Sequence, residues 1–387
     1  MISNKGCWQA VDGTWYSSGG FPLQISAIFS LFGQAKLVTL YGKPREGGIP
    51  LRKNVEVVLL KTPKGSGARR KLSIFLSLPY YLRTLIREIR AADVIHVPVP
   101  GDIPLMALLL SLYYRKPLIA RYGSSWEGTP QTPWVNRMTK AILRKFAGGR
   151  NVMLTSGMGS IPPAPRMHWL FSTAISQQEI RQVKPNLDRP AGQPLHLAYA
   201  GRFSYEKGVI TLLESLALLK DQRGITEKDI DLTLFGEGPL LKEFQDYVQQ
   251  HQLREMVHFA GLVDRAQLTE RMNTMDVLVM PSLTEGFPKA RLDAMICGVP
   301  VITTEVGFGR ESVGQNGERG WVIPRENPAA LTDLLQRLLT EPQDWLGLRH
   351  RCRAFAEGFT LEKWAEEIGQ ICSDQWKLAS LEGNIVV

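Results

Sequence analysis

Two stretches in the second half of the chain have the residue types and spacing to handle an anionic leaving group. In AGRFSYEKGV, residues 200–209, Arg202 leaves the end of an apolar strand pattern and Lys207 precedes the next helical pattern. Two cations so placed can hold a diphosphate without a metal, the arginine bidentately. On local pattern alone they read equally well as two solvated loop charges. In TEGFPKARLDAMICGVPVI, residues 284–302, Pro288 suits the first position of a helix and Gly298 with Pro300 mark its end. Glu285 then stands just before a helix N-terminus. The free N–H groups between Phe287 and Ala290, those of Phe287, Lys289 and Ala290 around Pro288, make that terminus an anion site. Asp293 follows eight residues after Glu285, inside the helix.

Other motifs are weaker. SSGGFPL places Gly19 and Gly20 ahead of the first helical pattern, where backbone can approach a phosphate or sugar closely, although the same residues make an ordinary tight turn. DLTLFGEGPLL has Gly236 and Gly238 at a strand-to-helix turn, but Leu241 stands where a dinucleotide fingerprint needs its third glycine. The glycines are read as turn geometry. Asp229 and Asp231 form a D-x-D that merely leads into a strand. The six histidines and four cysteines show no metal-ligand spacing, so no metal site is expected. His96, His196 and His258 fall within strand patterns. A serine-nucleophile elbow and a P-loop are both missing, against serine hydrolases and P-loop NTPases.

The elements that must position these residues alternate. Residues 36–41, 55–60, 93–99 and 117–122 read as buried strands, with helical spacing at 21–32, 78–90 and 104–114 between them. The pattern lapses into VKPNLDRPAGQP at 183–194, a candidate linker, and then resumes with the strand patterns LHLAYAG, DLTLFGEG, MVHFAG, VLVMPS and PVITTE. The expected fold class is α/β, two Rossmann-like domains with a ligand cleft between them. The expected boundaries are 1–182, completed by a closing helix in 361–387, and 183–360.

With 387 residues, 44% of them hydrophobic, the chain can bury large cores and is neither disordered nor fibrous. A net charge of +9 suits a phosphorylated substrate, anionic lipid or nucleic acid without choosing among them. The longest apolar stretch, residues 103–114, is short of the roughly 20 that a bilayer crossing needs. The N-terminus has no apolar signal core, and a soluble, cytoplasmic protein is expected. Residues 61–71, KTPKGSGARRK, hold five basic residues and no acid ahead of a helix with Arg83, Arg87 and Arg90. They read either as a solvated loop or as a surface for anionic lipid.

From about Ala198 to Ala365, the order and spacing of AGRFSYEKGV, LFGEGPL, HFAGLV, DVLVMPSLTEGFPKARLDAMICGVPVITT, GRE, GERGWVIP and FTLEKWAEEI resemble the family 4 retaining glycosyltransferases of GT-B fold, the group 1 glycosyltransferases. The first half matches only loosely, through SSGGFPL and DVIHVPV. The resemblance implies that Arg202 and Lys207 hold the donor diphosphate and that Glu285 contacts the donor sugar as the catalytic residue. It also implies that the backbone at Phe287, Pro288, Lys289 and Ala290 approaches sugar and phosphate. Asp293 would face the ribose, Val263 the base, and Gly19 and Gly20 the donor from the first domain. Two departures stand out: Asp293 is one methylene shorter than the usual glutamate, and IARYGSSWEG, with Arg121 and Tyr122, lacks the histidine many members carry.

The expected function is hexosyl transfer with retention, metal-independent, from a nucleoside diphosphate sugar to an acceptor hydroxyl in surface polysaccharide or lipid-linked glycan synthesis. That reading needs no cofactor beyond the donor as co-substrate. Expected partners are the donor, a glycan or lipid-linked acceptor and an anionic membrane surface on the inner face of the cell membrane, with no nucleic acid. Its rivals are an inactive GT-B scaffold that binds nucleotide or a partner protein, and an NAD-dependent enzyme, which lacks its glycine fingerprint.

Overall fold

The computed structural model describes residues 1–44, 48–52, 55–126, 132–159 and 161–377. The chain divides into two compact units, Met1–Ile175 joined by the segment from Thr360 onward, and Ser176–Phe359. Each is an α/β unit built on parallel strands.

In the first unit, β1 (Ile2–Gln9), β3 (Lys36–Tyr41) and β5 (Glu56–Leu60) are parallel, while β2 (Trp15–Ser17) and the short β4 (Ile49–Pro50) add an antiparallel margin in the order β4-β2-β1-β3-β5. A second, wholly parallel sheet follows in the order β6 (Ile95–Val99), β7 (Leu118–Tyr122), β8 (Asn151–Ser156), β9 (Met167–Leu170). Strands such as LIARY are buried along their whole length, as parallel strands covered on both faces must be. The helix Leu361–Trp376, capped by Thr360, packs back on this unit through the helix Phe21–Phe29. Residues 378–387, counted in the closing helix by sequence, lie outside the described residues.

The second unit is one parallel sheet, ordered β12 (Val257–Gly261), β11 (Ile230–Phe235), β10 (Leu195–Ala200), β13 (Val277–Met280), β14 (Val301–Thr304), β15 (Gly320–Ile323). Its core runs from Leu197 and Phe203 through Leu212, Leu216, Leu232 and Val279 to Leu335.

The boundary lies seven residues earlier than the sequence pattern suggests. Ser176 and Glu179 form a capping box that opens the helix Gln177–Gln182, and Arg353 holds this helix to the second unit by donating to the carbonyls of Ile180 and Ile296. The proline-rich segment 183–194 is likewise part of the second unit's body rather than a free linker. Arg189 pairs with Asp276 at 2.7 Å, and the Gly192 N–H donates to the same carboxylate. Asp276, wholly buried, also accepts from Arg349 at 2.8 Å and from the His196 N–H.

Removing one member of a buried ion pair strands the other charge in a low-dielectric interior, which costs about 3–5 kcal/mol. Asp276→Ala is therefore expected to lower unfolding free energy by about that amount, measured by urea denaturation. A loss well under 1 kcal/mol would mean that water replaces the carboxylate at Arg349.

Two further corrections concern the first unit. Residues 67–71, read as the end of a basic loop, instead open a helix, Gly67–Leu76, separated at Ser77 from the helix Leu78–Ala91. The first strand, Ile2–Gln9, has no alternation strong enough to announce it, yet it sits centrally in its sheet. In IARYGSSWEG, Arg121 is buried, donates to Gln24 at 3.2 Å and lies over the Trp364 ring. Glu127 and Gly128 of that stretch lie outside the described residues.

Candidate functional site

Strand order locates the site within the second unit. From β10 the chain builds outward on one side through β11 and β12, then returns to the other side of β10 with β13. The loops after β10 and β13 therefore leave the sheet in opposite senses and open a crevice at the carboxyl ends of the strands. The first loop carries Arg202 and Lys207, and the second carries Glu285.

The β10 loop is short and tightly held. Tyr199 donates from its hydroxyl to the Arg202 carbonyl at 3.0 Å. Burial, with the nearby Glu285 and Glu206 charges, pushes that phenol above its ordinary range. The Phe203 N–H donates to the Glu237 carbonyl at 2.9 Å. Gly236 (φ +138°) and Gly238 lie so close to the backbone of Gly201 and Phe203 that a Cβ on either would collide with it. These glycines thus serve the backbone approach that positions Arg202. A helical turn at Tyr205–Lys207 ends at Gly208, whose positive φ and contact with the Pro281 carbonyl seat the two loops against each other. The Arg202 side chain is exposed and makes no hydrogen bond or ion pair among the described residues.

Lys207 and Glu285 meet across the crevice. The Lys207 Nζ donates to Glu285 Oε1 at 2.6 Å, and Ser282 Oγ donates to the same oxygen at 3.1 Å. Glu285 is 8% exposed and Lys207 24%. The Leu283 N–H donates to the Glu206 carbonyl, and Thr304 Oγ1 to the Ser282 carbonyl, so the glutamate loop is stitched both to the lysine turn and to the end of β14. Pro288 is the N-cap rather than the first residue of the helix Lys289–Ile296. Its extended φ and ψ suit a residue outside the helix. The Phe287 ring stacks on Phe308 at 4.5 Å, which directs the ring into the core and leaves its backbone, with that of Lys289 and Ala290, at the helix N-terminus.

Asp293, one helical turn further on, does not join Glu285. It accepts from Arg265 at 3.1 Å, and Arg265 also approaches Glu179 at 3.6 Å. Burial raises the Asp293 carboxyl above its usual range, against the pull of Arg265. Val263 lies in the loop between β12 and the helix Arg265–Met272, so the same arginine draws that loop toward the Lys289–Ile296 helix. Gly19 and Gly20 belong to the first unit, where Gly19 takes positive φ and Gly20 caps the helix Phe21–Phe29.

Motif reading missed Ser282, Arg265 and Arg291. Arg291 is wholly buried beneath the helix start, donating to Ser312 and Thr303, and burial draws its guanidinium down to about 10 despite the opposing charges of Glu285 and Glu311. An arginine inside an otherwise apolar helix face was its available signal. The site thus offers two side-chain cations, a helix N-terminus and one nearly buried carboxylate. Together they suit a ligand with a di-anionic centre and a hydroxylated group beside it.

Residues 181–359 match the family described as glycosyl transferases group 1. A glycogen synthase of Mycobacterium tuberculosis is 30% identical over 66% of this chain and 61% of its own length. An amylovoran biosynthesis glycosyltransferase of Erwinia amylovora, AmsK, is 29% identical over 38% of this chain and 36% of its own length. The chain thus spans about three fifths of the first of these relatives and about a third of the second. Among solved structures, Anabaena Alr3699/HepE in complex with UDP superposes with a TM-score of 0.69 at 15% identity, covering 96% of this chain and 98% of its own. At that identity the likeness shows the fold, and it extends over both units.

Proposed function

From a chain of GT-B fold whose residues 181–359 form a group 1 glycosyltransferase domain, we propose a metal-independent, retaining transfer of a hexosyl group from a nucleoside diphosphate sugar to an acceptor hydroxyl. The single observation that carries this reading is the Lys207–Glu285 pair at the switch point of the sheet, with exposed Arg202 on the same loop as Lys207. As the bond from the anomeric carbon to the diphosphate oxygen breaks, charge grows on the leaving phosphate. Arg202, Lys207 and the helix N-terminus at Pro288 stabilise it, in the role a metal fills elsewhere. The acceptor oxygen forms its bond on the same face, and the leaving phosphate takes the acceptor proton. Glu285 orients the donor sugar and offsets positive charge at the anomeric centre, and its own bond to Lys207 fixes its rotamer.

Phe287, Lys289 and Ala290 approach sugar and phosphate through backbone groups. Val263 borders the base and Asp293 reaches the ribose. Similarity to an amylovoran biosynthesis enzyme supports a role in surface polysaccharide or lipid-linked glycan assembly, with the protein peripheral on the cytoplasmic face of the membrane. Among the described residues no helix is long and apolar enough to cross a membrane.

The test is a thermal-shift screen across UDP-, GDP- and ADP-sugars, followed by donor turnover in EDTA. One donor is expected to raise Tm by mass action, and turnover is expected to survive chelation. Binding without transfer or donor hydrolysis would leave a nucleotide-binding scaffold, and an absolute, metal-restorable requirement would sink the metal-independent mechanism.

A further inference from the structure

The helix Gly67–Leu76 buries none of its side chains. Leu72, Phe75 and Leu76 are 58%, 71% and 72% exposed. At about 3.6 residues per turn these three fall on one face, with Arg69 and Lys71 flanking it on either side. Arg70, on the opposite face, is held to the unit by Asp102 at 3.0 Å. Between Lys61 and Arg87 the chain has seven basic residues and no acidic one, and Lys61, Lys64, Arg69 and Lys71 are exposed.

The helix stands at the carboxyl edge of the first unit's parallel strands. It follows β5 closely, Thr62 donates to the Tyr41 carbonyl at the end of β3, and Asp102 opens the helix that follows β6. Ligands of open α/β sheets gather at that edge.

We propose that this helix is an interfacial membrane-docking element, with Leu72, Phe75 and Leu76 in the acyl boundary of an anionic leaflet and the basic residues on its headgroups. Contiguous exposed apolar groups mark an interaction surface. An unbroken run of positive charge around them selects anionic lipid as the occupant. This inference deepens the functional reading, on which it rests for a membrane-borne acceptor. It also adds apolar insertion to electrostatic attraction, and the two differ in their response to salt.

The full chain is to be co-sedimented with phosphatidylcholine vesicles, with and without roughly 30 mol% phosphatidylglycerol, at low salt and about 0.5 M NaCl. Wild type is expected on the anionic vesicles, with a fraction retained at high salt. L72S/F75S/L76S is expected to bind roughly tenfold more weakly and to release fully in salt, and R69E/K71E to lose most low-salt binding. A dye on Phe75→Cys, the other cysteines being buried, is expected to shift to the blue on anionic vesicles only.

Wild-type binding by the triple serine variant, equal binding to neutral vesicles, or no binding at all would overturn the proposal. So would a wild-type dimer that the serine variant abolishes, since the face would then be covered by a second copy of the chain. Vesicle binding needs no donor, so failed sugar transfer with intact docking would count against the catalytic reading alone. Intact transfer to a soluble acceptor without docking would count against this proposal alone.

Discussion

Glu285→Gln is expected to reduce turnover by two orders of magnitude or more while the affinity for the bare nucleoside diphosphate changes little. The expectation follows from where the carboxylate stands. It is nearly buried, fixed by Lys207 and Ser282, and in the proposed reaction it faces the sugar rather than the phosphates. A contact made mainly in the transition state lowers kcat and kcat/KM together when it is removed. A loss of roughly 3 kcal/mol from such a contact corresponds to about a hundredfold in rate. The amide keeps the shape and can still accept a hydrogen bond from Lys207, so fold stability is expected to hold. Nucleotide affinity is measured by calorimetry with UDP, GDP and ADP, and turnover by product release under saturating donor. Collapse of nucleotide affinity with turnover of the saturated variant preserved would place Glu285 at the phosphates and refute its assigned role.

Lys207→Ala is expected to cost more than Arg202→Ala, and in a different way. Lys207 neutralises a carboxylate that is 8% exposed. Its removal both deletes the proposed phosphate contact and leaves Glu285 buried without its cation, a combined loss of roughly 3–5 kcal/mol shared between donor binding and fold stability. Part of that loss is expected to appear as a lower Tm of the ligand-free protein. The Arg202 side chain is exposed and makes no hydrogen bond or ion pair among the described residues, so Arg202→Ala is expected to leave the ligand-free Tm unchanged and to weaken nucleoside diphosphate binding by tenfold or more. The double variant Lys207→Ala with Glu285→Gln restores the Tm if the stranded charge is the cause, while activity stays lost. Equal Tm losses in the two single variants, or full activity in either, would contradict this division of labour.

Much of the site was readable along the chain because its parts are local. Glu285, Pro288 and Asp293 sit on one loop and one helix, where eight residues of spacing and a proline near the helix start already define their order. The alternation of Val-, Leu- and Ile-rich runs with helical spacing announced parallel sheets, since strands covered on both faces leave continuous apolar segments. Gly236 and Gly238 were legible as turn glycines, although the reason they are required, contact with the backbone around Gly201 and Phe203, was not.

What escaped local pattern was pairing at a distance. Lys207 and Glu285 are 78 residues apart and touch because β13 returns beside β10. The spatial order of strands is a property of the whole sheet that no short window encodes. The same holds for Asp276, whose partners Arg189 and Arg349 come from opposite ends of the second unit, and for Arg265, which occupies the Asp293 carboxylate from a neighbouring helix. The helix Gly67–Leu76 was hidden for a related reason. Its glycine start and basic residues resemble a loop, and its apolar face is distinctive only because none of the described residues covers it. Periodicity and caps specify which elements form and which residues each one carries. The free energy of burying whole faces together selects which elements become neighbours, and with them which charges meet.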